Sequence, residues 1–141
     1  MLVDANVLLF AQDESSPFHP AAVRWLTDAL NGATRIALPW PSLLAFVRIR
    51  THPGAYAEPL SGEEAWGHVD DWLAAPAAWI PEPTAGHAVV LGDLVRRYRL
   101  RANDIPDAHL AALAIEHGIA VCSADADFAR FSEVRWFNPV G

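Results

Sequence analysis

Short apolar runs recur along this chain of 141 residues, each separated from the next by a longer stretch of helical periodicity. That alternation constrains the fold more than any other feature. A strand buried on both faces reads as a continuous apolar run, and parallel neighbours need a crossover of helical length between them. Met1–Val3, ending at Asp4, reads as a buried strand, with Val7–Phe10 continuing apolar and a turn into a short helix following the strand. Ile36–Leu38, Trp79-Ile80, Ile119–Cys122 and Val134–Phe137 are further strand candidates. The pattern predicts an α/β chain: a three-layer α/β/α sandwich around a central, mostly parallel sheet, in one domain spanning residues 1–141.

The segments between carry their own punctuation. Ser15-Ser16-Pro17 breaks the chain, and Pro20 opens an amphipathic helix through Val23, Leu26 and Leu30 that Gly32 stops. Pro41 and Ser42 open a helix ended before His52-Pro53-Gly54. Ser61 and Glu64 have capping-box spacing for a helix reaching Leu73. Thr84 is placed to cap a helix running to Tyr98. Asn103 or Asp104 is placed to cap the next, with Pro106 in its first turn and Gly118 as its stop.

Bulk properties exclude several functions. Apolar residues make up 52% and charged residues 19%, which is incompatible with disorder. No uninterrupted apolar run approaches a membrane span, and no basic region precedes the first apolar stretch, so the expected location is a reducing cytoplasm. The single cysteine, Cys122, rules out an intrachain disulfide and a Cys-rich zinc site, and it reads as a small buried strand residue. A net charge of −7 argues against a protein that coats nucleic acid, though not against an enzyme that touches a few phosphates. All ten basic residues are arginine, which removes every mechanism that needs a lysine.

The aspartates fall where chemistry is possible. Asp4 ends the first strand, Asp125 and Asp127 follow the strand that ends at Cys122, and Asp104 and Asp107 share one face of a helical first turn. Ligands bind beyond the carboxyl ends of parallel strands, so these acids can converge in one cleft. Each has a plainer role open to it: Asp104 as a cap, Asp107 against the helix dipole, Asp125 or Asp127 as a turn former. Asp4, bounded by apolar runs on both sides, is the hardest to explain as structure alone. Converging carboxylates repel, and a hard divalent cation relieves that repulsion. Mg²⁺ or Mn²⁺ suits such a site, whereas the histidines lack zinc-ligand spacing. A carboxylate-held cation that keeps waters points to phosphodiester hydrolysis.

Three stretches in order resemble the PIN domain of VapC-type ribonucleases: Met1-Leu2-Val3-Asp4-Ala5-Asn6-Val7-Leu8-Leu9, Asp107-Ala108-His109-Leu110 through Gly118, and Ser123-Ala124-Asp125-Ala126-Asp127-Phe128. The resemblance implies a metal-dependent endoribonuclease, the toxin of a toxin–antitoxin pair. Asp4, Asp107 and Asp125 would be its metal ligands, and Asp127, with Asp104, would support them. It also implies an RNA substrate, a homodimer and a VapB-like antitoxin, expected at the arginine-rich surface with its tail entering the cleft. The family's usual Glu after the second strand falls here on Phe46, which is read as packed inside. A second reading follows from that loss: a PIN domain that binds RNA or a partner without cutting. A weaker resemblance of Asp4-Ala5-Asn6 to haloacid-dehalogenase-type phosphatases is set aside because that family relies on a lysine.

The basic residues and aromatics remain. The run Arg96-Arg97-Tyr98-Arg99-Leu100-Arg101 reads chiefly as positive charge against a helix C-terminus, with RNA contact or acid pairing left open. Arg48 and Arg50 are placed to touch RNA phosphates or to be solvated, and the solvated role is assigned first to Arg50. The six tryptophans, with Phe18 and Phe46, exceed what the core requires, so some are expected at an interface.

Overall fold

The computed structural model describes residues 1–141. Five short strands, β1 (Leu2–Val3), β2 (Ile36–Ala37), β3 (Ala78–Trp79), β4 (Val121–Cys122) and β5 (Trp136–Phe137), form one sheet in the order β3-β2-β1-β4-β5. Every pairing is parallel. The helices are α1 (Ala5–Gln12), α2 (His19–Leu30), α3 (Trp40–Arg50), α4 (Gly62–Ala74), α5 (His87–Arg97) and α6 (Asp104–His117), and a 3-10 turn spans Ala126–Arg130.

Consecutive strand residues face opposite ways, and that splits the core in two. Leu2 packs with Leu94, Leu110, Leu113, Val121 and Phe128, against α5 and α6. Its neighbour Val3 packs with Val7, Leu26, Leu43, Phe46, Val69 and Cys122, against α1 to α4. The architecture is therefore the expected α/β/α sandwich, with a wholly parallel sheet.

Local signals explain most boundaries. Ser61 Oγ accepts from Glu64 N and Glu64 Oε1 accepts from Ser61 N, both at 3.0 Å, which completes the capping box of α4. Gly118 ends α6 in the left-handed conformation at φ +66°, where a Cβ would be strained. Thr84 does not cap α5. Gly86 occupies the cap position, and the Thr84 backbone N–H and hydroxyl both donate to Glu116 Oε1, at 2.9 and 2.6 Å. Glu116 also meets His87 Nδ1 at 2.5 Å, and His87 Nε2 lies 3.0 Å from His109 Nδ1, so α5 is fastened to α6 by polar contacts. Burial works to raise the Glu116 carboxyl, but the bonds from Thr84 and His87 hold it below its usual range.

Packing tests four further expectations. Phe46 is fully buried, with its ring edge-on to Trp72 at 4.7 Å, so it is a core residue and not surplus aromatic surface. Arg50, assigned to solvent from sequence, is buried: Nε donates to Gln12 Oε1, Nη1 donates to the Glu58 carbonyl at 3.0 Å, and the guanidinium covers Tyr56. Arg48 is exposed. Cys122 is buried as expected, and burial pushes its thiol up to about 12, so it is no thiolate nucleophile.

Candidate active site

The site is set by where the sheet reverses. β2 and β3 lie to one side of β1, and β4 and β5 lie to the other. The neighbours β1 and β4 run in register, Leu2 beside Val121 and Val3 beside Cys122. Such a switch point opens a crevice at the strands' carboxyl ends. Asp4 leaves β1 at that edge and Ser123 leaves β4.

Asp4 is held there by a network. Its Oδ1 caps α1 by accepting from Ala5 N at 2.8 Å. Its Oδ2 accepts from the Ser123 hydroxyl at 2.7 Å and from Asn6 Nδ2 at 3.3 Å. Asn6 Nδ2 also reaches Ser123 Oγ at 3.0 Å, and Asn6 Oδ1 accepts from Ala124 N at 3.1 Å. Ser123 Oγ accepts from Asp125 N at 3.0 Å, and Asp125 Oδ1 accepts from Asp127 N at 2.9 Å. One buried hydroxyl thus couples the first strand's acid to the loop carrying the other two. Burial raises the Asp4 carboxyl above its ordinary range, the bonds from Ser123 and Ala5 oppose the rise, and repulsion from Asp125 adds to it.

The first turn of α6 supplies Asp107. Carboxylate oxygens of Asp107, Asp125 and Asp127 all lie within 4.8 Å of one another. Burial first, then repulsion from Asp4 and Asp125, raises Asp107 to about 6, with Arg130 opposing the rise and Asp127 adding a little. Three hard oxygen donors without sulfur or imidazole, one of them carrying a repulsion that a cation would relieve, fit Mg²⁺ or Mn²⁺ and not Zn²⁺.

The three carboxylates that lie closest together are those of Asp107, Asp125 and Asp127. Sequence joined Asp4, Asp107 and Asp125 as ligands, with Asp127 and Asp104 in support. In the structure Asp127 completes the close trio, and Asp4 is turned toward Ser123 and Asn6. Asp104 is outside the trio as well. Asn103 occupies the cap position of α6 without a side-chain cap bond, and Asp104 reaches back, its Oδ2 accepting from Arg101 N at 3.3 Å and its Oδ1 from Arg130 Nη1 at 3.2 Å. Those bonds, the one from Arg101 first, hold its carboxyl low. No acid of α3 joins the site, since that helix contains none.

Arg130 was not singled out from sequence. Its Nη2 lies 3.9 Å from Asp107 Oδ2, and its Nε and Nη2 are buried without hydrogen-bond partners. The only signal was its place three residues after Asp127. Ser123 and Asn6 were part of the motifs, but their roles depend on contacts spanning 117 and more residues of chain.

A parallel α/β sheet with a cluster of carboxylates at its switch point defines a class of protein suited to metal-assisted phosphoryl chemistry. The particular family follows from comparison: the PIN domain profile matches residues 1–134, and the chain belongs to the PIN-domain family. It is 48% identical over 138 residues to Ribonuclease VapC37 of Mycobacterium tuberculosis, covering 98% of this chain and 96% of that one. It is 39% identical over 141 residues to VapC ribonuclease Mb2897 of Mycobacterium bovis, covering 99% and 95%. Among solved structures, VapBC2 from Rickettsia felis, bound to a DNA fragment from their promoter, superposes with a TM-score of 0.71 at 16% identity, covering 97% of this chain and 96% of that one. VapC20 of Mycobacterium tuberculosis, a sarcin-ricin loop cleaving toxin, superposes at 0.67 and 17% identity, covering 95% and 98%. These likenesses agree on the fold, and the sequence relatives are VapC ribonucleases.

Proposed function

We propose that this protein is a divalent-metal-dependent endoribonuclease, the toxin of a toxin–antitoxin pair, acting in the cytoplasm. The observation that carries the reading is the trio Asp107, Asp125 and Asp127, its oxygens mutually within 4.8 Å, in a chain 48% identical to a ribonuclease. Asp107, Asp125 and Asp127 would hold Mg²⁺ or Mn²⁺, which when bound supplies a water of lowered pKa and offsets charge on the phosphoryl oxygens. The chain's own residues do the rest. Asp125 accepts from the Asp127 backbone and keeps the two carboxylates on one loop. The Ser123 hydroxyl fixes Asp4 and Asp125 relative to each other. Asp4, beside the trio and anchored by Ala5 and Ser123, would add its negative charge to the site as a further ligand, direct or through water.

Two partners belong to the same reading. The structural neighbours include VapBC complexes, which supports a VapB-like antitoxin for this chain. Trp66 and Leu44, at 40% and 52% exposure on α4 and α3, are apolar surface suited to a homodimer or antitoxin contact. No helix is long and apolar enough to cross a membrane.

The test is cleavage of purified ribosomal and transfer RNA by wild type and by Asp4→Asn, at matched salt with Mg²⁺. Wild type should give discrete new 5′ ends that EDTA abolishes, and Asp4→Asn should give none. Equal cutting by both proteins, or cutting that survives EDTA, would overturn the reading. A folded wild type that cuts neither RNA, with Mg²⁺ or with Mn²⁺, would favour a binding domain without catalysis.

A further inference from the structure

The connection from α5 to α6 has a backbone that its residue types do not favour. Arg99 and Ala102 both adopt left-handed conformations, at φ +53° and +51°, which glycine would adopt without cost. Neither is glycine, and in position 99 the chain keeps a long cation. Arg99 takes the left-handed position that closes α5, where the Leu100 N–H donates to the Val95 carbonyl at 3.0 Å, and a carboxylate holds the residues that follow. Asp104 Oδ2 accepts from the Arg101 backbone N–H, and Asp104 Oδ1 accepts from Arg130, whose Nη2 stands 3.9 Å from Asp107. The loop is therefore tied through one carboxylate to the acid trio.

The arginines of this segment are not equivalent. Arg97 pairs with Glu133 at 3.3 Å, and Arg96 folds back along its own helix over Gly92. Arg99 and Arg101 are exposed, and neither side chain makes an ion pair or hydrogen bond. In a chain of net charge −7, two unpaired guanidiniums held in a strained loop and tied to an acid cleft are placed to receive an anion. Resting on the ribonuclease reading, we propose that Arg99 and Arg101 are RNA-positioning residues. They would grip backbone phosphates flanking the scissile one, with Asp104 as the tether that sets their distance from the trio.

The test is the salt dependence of binding to a fluorescein-labelled 20-nucleotide oligouridylate, read by anisotropy. Three proteins, all carrying Asp4→Asn so that the strand stays intact, are compared: the background alone, Arg99→Gln with Arg101→Gln, and Arg24→Gln, an exposed arginine of α2 in the other helical layer. Loss of two phosphate contacts should flatten the slope of log K against log salt by about 1.4 and weaken binding near 0.1 M salt by about tenfold or more. Arg24→Gln should change neither, and matched melting curves show that all three are folded. An unchanged slope in the double variant, with the background binding normally, would overturn the assignment and leave the ribonuclease reading standing. Failure of the background itself to bind would instead count against the RNA reading. An unchanged slope together with lost binding of poly-glutamate would make the loop a seat for an acidic protein tail and would also overturn the assignment.

Discussion

Asp107 offers the sharpest prediction, because its environment is hostile to its own charge. In the absence of metal its carboxyl is raised from 3.8 to about 6, by burial first and then by Asp4 and Asp125. Two units correspond to about 3 kcal/mol of unfavourable interaction in the ionised form. The side chain is 22% exposed, and screening by solvent brings the expected effect to about 1–2 kcal/mol. The native chain holds this proton more tightly than the unfolded chain does, so stability falls as pH rises from about 4 to about 6 and is level above that. Asp107→Asn removes the penalty. In EDTA at pH 7.5 the variant should unfold about 2–8 °C higher than wild type, at about 2–4 °C per kcal/mol. Below pH 4, where the wild-type carboxyl is protonated, the two should coincide. Adding Mg²⁺ should raise wild type more than the variant, since only wild type keeps the full ligand set. The assay is thermal unfolding across this pH range with and without EDTA. A variant no more stable than wild type at pH 7.5, or more stable by the same amount at pH 4, would refute the claim that the acids repel one another.

Other perturbations probe separate parts of the account. Phe46→Glu, which introduces the acid that the family resemblance leads one to expect at this position, should not create a ligand. It places a carboxylate in the core beside Trp72 and removes a packing contribution of about 3–5 kcal/mol, so soluble yield should collapse; a soluble variant with tighter Mn²⁺ binding would show that the helix can deliver an acid to the site. Ser123→Ala should cost about 1–3 kcal/mol in urea unfolding and weaken Mn²⁺ binding, because Asp4 and Asp125 lose their shared anchor; unchanged metal affinity would mean that the network does not position the trio. Glu116→Gln should destabilise by about 1–2 kcal/mol at pH 7. The folded carboxyl is held low, so this contribution is present above the ordinary Glu range and lost on acidification, and the gap to wild type should close near pH 3. A gap independent of pH would point to shape and not charge at the α5–α6 contact.

The legible parts of this protein are those fixed by neighbours in sequence. The alternation of apolar runs and helices implied the parallel sheet, and Ser61, Glu64 and Gly118 marked helix ends because caps are made by residues a few positions away. The strand-end position of Asp4 and the spacing of Asp125 and Asp127 pointed to one cleft for the same reason. What was missed depends on distant partners. Arg50 looked solvated because Gln12 and the Glu58 carbonyl, which bury it, approach only in the folded chain. Thr84 looked like a cap because Glu116, which claims its donors, is 32 residues away. The Ser123 contact to the Asp4 carboxylate spans 119 residues of chain and has no local pattern either. Arg130 has no motif of its own, and its relation to Asp104 and Asp107 is purely tertiary.

The central claim is that Asp107, Asp125 and Asp127 share one divalent cation. A crystal grown at neutral pH and soaked in Mn²⁺ tests it most directly through the anomalous signal of the metal. The account predicts a single strong peak within bonding distance of oxygens from all three carboxylates, absent from crystals of Asp107→Asn soaked in the same way. A peak bound elsewhere, or one at this position undiminished by Asp107→Asn, would contradict it.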